Sequence, residues 1–210
     1  MKAMQSKKCA GRPVDRSKDK AIFAAAHKLL FSEGPAGFSM EKIARLAGVS
    51  KITIYSRYAN RDSLIHAVLR EQENLLICGL SITPENQSST RDALVSFGDD
   101  LLTFLLGEEH LGFMRALCAT PISSAEMVRE IYRKGPHATI EKLAEWMERT
   151  HRAGMINSVC PEKSAELLLG MLMGGDIVRA IYGVPCQRSG PNTRHHVGWV
   201  VDAFLKVHAI

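Results

Sequence analysis

No stretch of the 210-residue chain runs for about 18 apolar residues, the length a membrane-spanning helix needs. The nearest approach, residues 165–175, is short, broken by glycine and followed by Asp176 and Arg179, so a soluble protein without a membrane partner is expected. The opening residues, Met-Lys-Ala-Met-Gln-Ser-Lys-Lys, contain no apolar signal region, and a cytoplasmic location follows as an expectation. The five cysteines, at 9, 78, 118, 160 and 186, are odd in number, scattered and never spaced as Cys-x-x-Cys. That pattern argues against a disulfide framework or a zinc site, and leaves reduced thiols of which one could serve as a redox sensor. Enzyme signatures are missing as well: no Gly-x-Ser-x-Gly elbow, no phosphate-cradling glycine loop and no His-Glu-x-x-His. His195 and His196 are adjacent, so on a helix their side chains diverge by about 100° and do not share a metal ion. No enzyme activity, metal or cofactor is expected.

Charge divides the chain. Residues 1–66 hold 13 Lys and Arg against 5 Asp and Glu, a balance of +8, whereas the remaining 144 residues come to −3. A basic terminal third on a mildly acidic body suggests a polyanion-binding module joined to something else, because phosphate neutralisation is the sequence-independent part of nucleic-acid binding. A merely solvated basic tail is the bland alternative.

Apolar spacing is helical throughout, with neither strand-like alternation nor an internal repeat. Residues 1–16 form a polar, basic arm. Within it Arg12, held extended by Pro13, could enter a narrow minor groove or simply belong to a disordered segment. Ile22, Ala25, Ala26, Leu29 and Leu30 mark a first helix that Gly34-Pro35 ends. Ser39 caps a helix of barely two turns closed by Gly48, and Ser50 caps a third, residues 51–57, whose inward face carries Ile54 and Tyr58. Asn60 caps a fourth helix with Leu64, Val68 and Leu75 along one side. Two short helices joined at a glycine turn and braced by a third make a helix-turn-helix, here residues 39–58 within a DNA-binding unit of residues 17–66. A plain three-helix bundle shares the periodicity, but nothing in it requires positive charge at this place.

Residues 38–64 read Phe-Ser-Met-Glu-Lys-Ile-Ala-Arg-Leu-Ala-Gly-Val-Ser-Lys-Ile-Thr-Ile-Tyr-Ser-Arg-Tyr-Ala-Asn-Arg-Asp-Ser-Leu. This run resembles the DNA-binding signature of tetracycline-repressor-like (TetR/AcrR) transcriptional regulators. The resemblance implies that Thr53 and Tyr55 contact phosphates or bases, that Arg61 clamps a phosphate, and that Ser39 touches the DNA backbone. Ser50, Lys51, Ile52 and Tyr58 complete the candidate surface. Two positions depart from the usual pattern: Arg61 stands where lysine is commoner, and Ile52 where a small residue is usual. An exposed Ile52 could meet a thymine methyl; folded back, it would pack on the bundle.

Residues 67–210 divide into helical pieces at 90–106, 111–119, 125–134, 138–153, 162–182 and 194–207, separated by proline- and glycine-marked linkers. Arg91-x-x-Leu-x-x-Phe-Gly and Leu167-Leu-Leu-Gly-Met-Leu-x-Gly loosely resemble the ligand-binding half of the AefR-type subgroup. The expected fold is all-α, an N-terminal helix-turn-helix plus a larger ligand-binding and dimerisation domain. The resemblance implies a homodimer built on the last two helices, with Leu167, Gly170, Met171, Gly174, Val178, Val197, Val201 and Phe204 as its candidate contacts. Phe97, Leu101, Phe104, Met114, Leu117, Trp146 and Met147 are candidates for a deformable pocket wall, with His151 and Asp176 as polar handles. The expected function is a ligand-responsive repressor, bound as a dimer to a pseudo-palindromic double-stranded operator and released by a small apolar effector. The alternatives are a DNA-binding dimer blind to ligands, or a regulator that responds through a thiol.

Overall fold

The computed structural model describes residues 16–118, 125–185 and 191–210, so Arg12 and the arm around it lie outside the described residues. Among the described residues every regular element is helical. In chain order the α-helices are α1 (Arg16–Gly37), α2 (Met40–Ala47), α3 (Lys51–Tyr55), α4 (Arg61–Ile77), α5 (Gln87–Leu105), α6 (Glu108–Cys118), α7 (Ala125–Tyr132), α8 (Ala138–Arg152), α9 (Pro161–Met173), α10 (Asp176–Ile181) and α11 (Pro191–Val207), with a 3-10 turn at Cys78–Leu80 and a π-helical turn at Arg133–His137. None of them is long and apolar enough to cross a membrane.

One interior lies under α1–α4. Ile22, Ala26, Leu30, Ile43, Ile54 and Leu64 are buried together there, which fixes the inward faces that the helical spacing marked. On α4 the inward place near the C-terminal end belongs to Leu76, not Leu75, which is exposed. A step of one residue turns a helical side chain by about 100°, enough to carry it off the buried face. The α1–α4 interior does not close at residue 66: α4 runs on to Ile77, and Phe113 of α6 and Ile131 of α7 pack into the same interior. α1 bends at Gly34, whose backbone has φ 68°, and the chain turns on through Pro35 to Gly37. Gly34 lies against α6 so closely that a Cβ there would stand 2.7 Å from Cβ of Ala116.

A second interior fills the body between α5, α8, α9 and α11. Phe97, Trp146, Met147, Leu168, Val200 and Phe204 are buried in it. Trp146 also donates its indole N–H to the carbonyl of Ile82 at 3.1 Å, and Arg149 donates to that of Leu80 at 2.9 Å, so α8 pins the linker between α4 and α5. The single helix expected over residues 162–182 is two. Gly174 has φ 49° and ψ −139°, a conformation closed to residues with a Cβ, and it separates α9 from α10.

Candidate nucleic-acid interface

Each junction of the α2–α3–α4 unit is fixed by a local cap. Ser39 Oγ accepts from the N–H of Lys42 at 3.3 Å and starts α2. Gly48 ends it in the left-handed region, with its N–H on the carbonyl of Arg45 and the N–H of Val49 on that of Ala44, a complete Schellman turn. Two residues later Ser50 Oγ accepts from the N–H of Thr53 at 3.2 Å and starts α3. Regular α3 covers only Lys51–Tyr55, but turn hydrogen bonds continue to Tyr58, whose N–H reaches the carbonyl of Ile54 at 2.9 Å. Asn60 and Ser63 then cap α4 reciprocally, Asn60 Oδ1 accepting from the N–H of Ser63 at 2.8 Å. Orientation between helices is held by ion pairs. Lys51 meets Glu41 at 2.8 Å across α2 and α3, and Arg57 pairs with Asp19 of α1 while donating to the carbonyl of Thr53. The Lys51 ammonium, with the backbone N–H and hydroxyl at the α2 N-terminus, holds the Glu41 carboxyl down from 4.5 to about 2.

With Ile54 fully buried as the anchor, the opposite side of α3 faces solvent. Ile52 is 81% exposed and Tyr55 49% exposed, flanked by exposed Lys51 and half-buried Thr53. Ile52 therefore does not fold back on the bundle. Ser39, Ser50 and Arg61 lie at the starts of α2, α3 and α4, and Arg61 is held by Asp62 at 3.2 Å. Tyr58 differs from the rest: its ring packs against the α1–α4 interior, where burial raises the phenol pKa. Sequence reading missed Arg57 and Glu41 as the residues that aim α3. A lysine ten residues from a glutamate carries no signal of pairing until the turn at Gly48 folds the two helices together.

In the body a cavity of about 430 Å³ lies between Phe31 of α1 and helices α4 to α10. Of the candidate wall residues, Leu101, Phe104, Met114 and Leu117 line it. Phe97, Trp146 and Met147 do not; they are packed solid in the interior of the body. The polar handles are also displaced. His151 is exposed beyond the end of the α8 core, with its Nδ1 near the carbonyl of Ile156 at 3.0 Å, and buried Asp176 pairs with Arg179 at 2.7 Å at the start of α10. In their place are His110 and Tyr132, with Phe31 and Phe113 carrying the wall into the α1–α4 interior. Helical spacing reports that a residue turns inward, not whether it meets a neighbour or a void.

Two family models match this chain. Residues 22–68 match the bacterial regulatory proteins of the tetR family, and residues 92–210 match the C-terminal domain of AefR-like transcriptional repressors. The chain belongs to the TetR family. It is 36% identical over 107 residues, half of each chain, to the uncharacterized HTH-type transcriptional regulator YdeS of Bacillus subtilis strain 168. The chain spans half or less of the curated relatives it matches. Among solved structures it is similar to a TetR transcriptional regulator from Agrobacterium tumefaciens, with a TM-score of 0.72 and 20% identity over 91% of this chain and 94% of that one. It is also similar to the flavonoid-responsive regulator FrrA, with a TM-score of 0.66 and 24% identity over 91% and 96%. This protein is thus a TetR-family transcriptional regulator, with the helix-turn-helix of that family in α2 and α3.

The candidate dimer contacts of this TetR-family regulator separate into two groups. Leu167, Gly170, Gly174 and Val178 are exposed, and Met171 is half-buried against the body interior. Val197, Val201 and Phe204 are instead fully buried within the same chain. The outward face of α11 carries Trp199, 66% exposed, and α10 presents Val178 and Ile181, with Tyr182 exposed just after it. An apolar stripe at helical spacing is ambiguous between the chain's own core and a partner's, and α11 uses its stripe for the core. Trp199 on the opposite side was the available signal. Gly174, a candidate contact within the helix expected over residues 162–182, instead ends α9.

Proposed function

We propose that this TetR-family regulator binds a pseudo-palindromic operator as a homodimer, inserts α3 into the major groove, represses, and is released by a small apolar effector. The observation that carries DNA reading is the outward Ile52, set between Lys51, Thr53 and Tyr55 on a helix capped at its start and anchored by Ile54. Thr53 and Tyr55 supply hydroxyls to phosphates or base edges. Ile52 offers a methyl surface to thymine, Lys51 and Arg61 neutralise phosphate, Arg12 enters a narrow minor groove, and Ser39 and Ser50 present helix N-termini to the backbone. Tyr58 acts by bracing α3. Residues 17–66 form the DNA-binding unit in this reading and 67–210 the effector and dimerisation unit. Leu167, Gly170, Gly174, Val178, Ile181, Tyr182 and Trp199 form the dimer surface, which places two recognition helices one turn of DNA or more apart. Such a protein acts in the cytoplasm, without catalysis.

Release is a shift between two dimer geometries. Two elements carry it from the cavity: α4, which lines the cavity with Leu69 and Leu76 and continues from the helix-turn-helix, and α6, whose Ala116 abuts Gly34 of α1. Selection of full-length protein on a randomised duplex library, followed by sequencing of the bound DNA, tests the DNA-reading half. A two-fold symmetric motif is expected, lost with Tyr55→Ala. Recovery of unsymmetric or random sequence overturns it. Analytical ultracentrifugation of wild type and Trp199→Glu tests the dimer, which the charge should dissociate.

A further inference from the structure

The wall of the cavity is apolar nearly everywhere. At the end formed by α1, α5 and α6 it consists of aromatic rings, with Phe31, Phe104 and Phe113 all within 6.4 Å of the His110 imidazole, centroid to centroid. His110 lines the cavity, and its Nδ1 is buried without a hydrogen-bond partner within the protein. A buried ring nitrogen left unmet is costly, so something that binds beside it gains by meeting it. Contact with a bound molecule requires the ring to turn about Cβ–Cγ, a torsion whose own profile is broad, against the packing of Phe104 at 4.4 Å. The formal charges along the wall point the same way. Glu73 is the acidic group among the lining residues, and it stands where the cavity adjoins a polar cleft of Arg70, Arg133, Lys134, His137 and Glu141. No lysine or arginine lines the cavity itself to hold an anionic ligand, and an incoming cation would find Glu73 already faced by Arg70, Lys134 and Lys142.

Resting on the reading of this cavity as the effector site, we propose that its ligand is uncharged, largely apolar and carries one hydroxyl, which donates to Nδ1 of His110 while the rest fills the ring-lined void. Burial holds His110 at a pKa of about 4, so the imidazole is neutral near pH 7 and accepts a proton-donor contact without attracting a carboxylate. The phenylalanine rings around it suit a flat aromatic body with the hydroxyl attached to it.

Four probes that share one body and differ only in the head group test this: 4-hexylphenol, hexylbenzene, 4-hexylbenzoate and protonated 4-hexylbenzylamine. Binding to the full-length protein is followed by titration calorimetry at neutral pH, for wild type and His110→Phe. The phenol is expected to bind about tenfold more tightly than hexylbenzene, and both ionised probes more weakly than the phenol. In His110→Phe the preference for phenol should vanish while hexylbenzene still binds, a result that also shows the variant folded. Equal binding of phenol and hexylbenzene to wild type, tighter binding of either ionised probe, or a phenol preference that persists in His110→Phe overturns the inference and leaves the cavity an effector site. If none of the four binds wild type, the effector reading falls and takes the inference with it.

Discussion

The α1–α4 unit and the body use apolar side chains in opposite ways. Under the recognition helix, Ile22, Leu30, Ile43, Ile54 and Leu64 fill one interior, and local caps and ion pairs hold each short helix at a set angle. The body splits its apolar residues between a filled half around Trp146 and Phe204 and a void of about 430 Å³. A surface that must match the spacing of base pairs gains from rigidity. In the proposed reading the void is the effector site, and such a site needs space and alternative packings, which a filled core does not have. The two regions meet where Phe31, Phe113 and Ile131 belong to both, and this is where a change in one can be felt in the other.

Several substitutions would break or sharpen that contrast. The largest effect is expected from Trp146→Ala, which empties the filled half of the body and frees the linker at Ile82. It should cost about 3–5 kcal/mol in thermal or denaturant unfolding. Leu117→Ala, on the cavity wall, should cost clearly less, because that side chain already faces a void. Equal losses would erase the distinction between filled and open halves. Gly34→Ala comes next, at about 2 kcal/mol, since it combines a positive φ with a Cβ driven against Ala116. Adding Ala116→Gly should recover part of that loss; no recovery in the double-mutant cycle would mean that α1 and α6 are not tightly coupled there.

A smaller effect tests the recognition surface itself. Ile52→Ala should leave the melting temperature unchanged, because the side chain is exposed, yet it should relax base preference at one position by about 1 kcal/mol. A stability loss without any change in preferred sequence would contradict the outward placement. The smallest effect concerns Glu41. Its carboxyl has a depressed pKa in the folded state, so its pairing with Lys51 contributes above the ordinary 4.5 and is lost as pH falls through about 2. In an NMR titration the Glu41 carboxyl should move back toward 4.5 in Lys51→Met. An unchanged value would remove Lys51 from the hinge between α2 and α3.

What was legible differs between the two regions for physical reasons. Ser39, Gly48, Ser50 and Asn60 announce helix boundaries because a cap is satisfied by atoms two or three residues away, so sequence and geometry coincide. The run over residues 38–64 then marked the family, whose N-terminal model matches residues 22–68. Candidate pocket and interface residues were half misplaced. Phe97, Trp146 and Met147 share the spacing and chemistry of Leu101, Phe104 and Met114, and nothing along the chain says which of these meets a void. Similarly, Val197 and Val201 were as eligible for a partner as Trp199 until the packing of α11 on α5 and α9 settled which face turned inward.

The sequence by itself therefore determined an all-helical chain, its caps and turns, a basic N-terminal third and membership of a regulator family, all of which depend on local spacing or on composition. Only the tertiary structure decided the outward aim of Ile52, the pairings of Lys51 and Arg57, the break at Gly174, the burial of Phe204 and the approach of His110 to an aromatic cavity. Those facts depend on which surfaces distant helices present to one another, and helical periodicity gives the direction of a side chain without naming what it will meet.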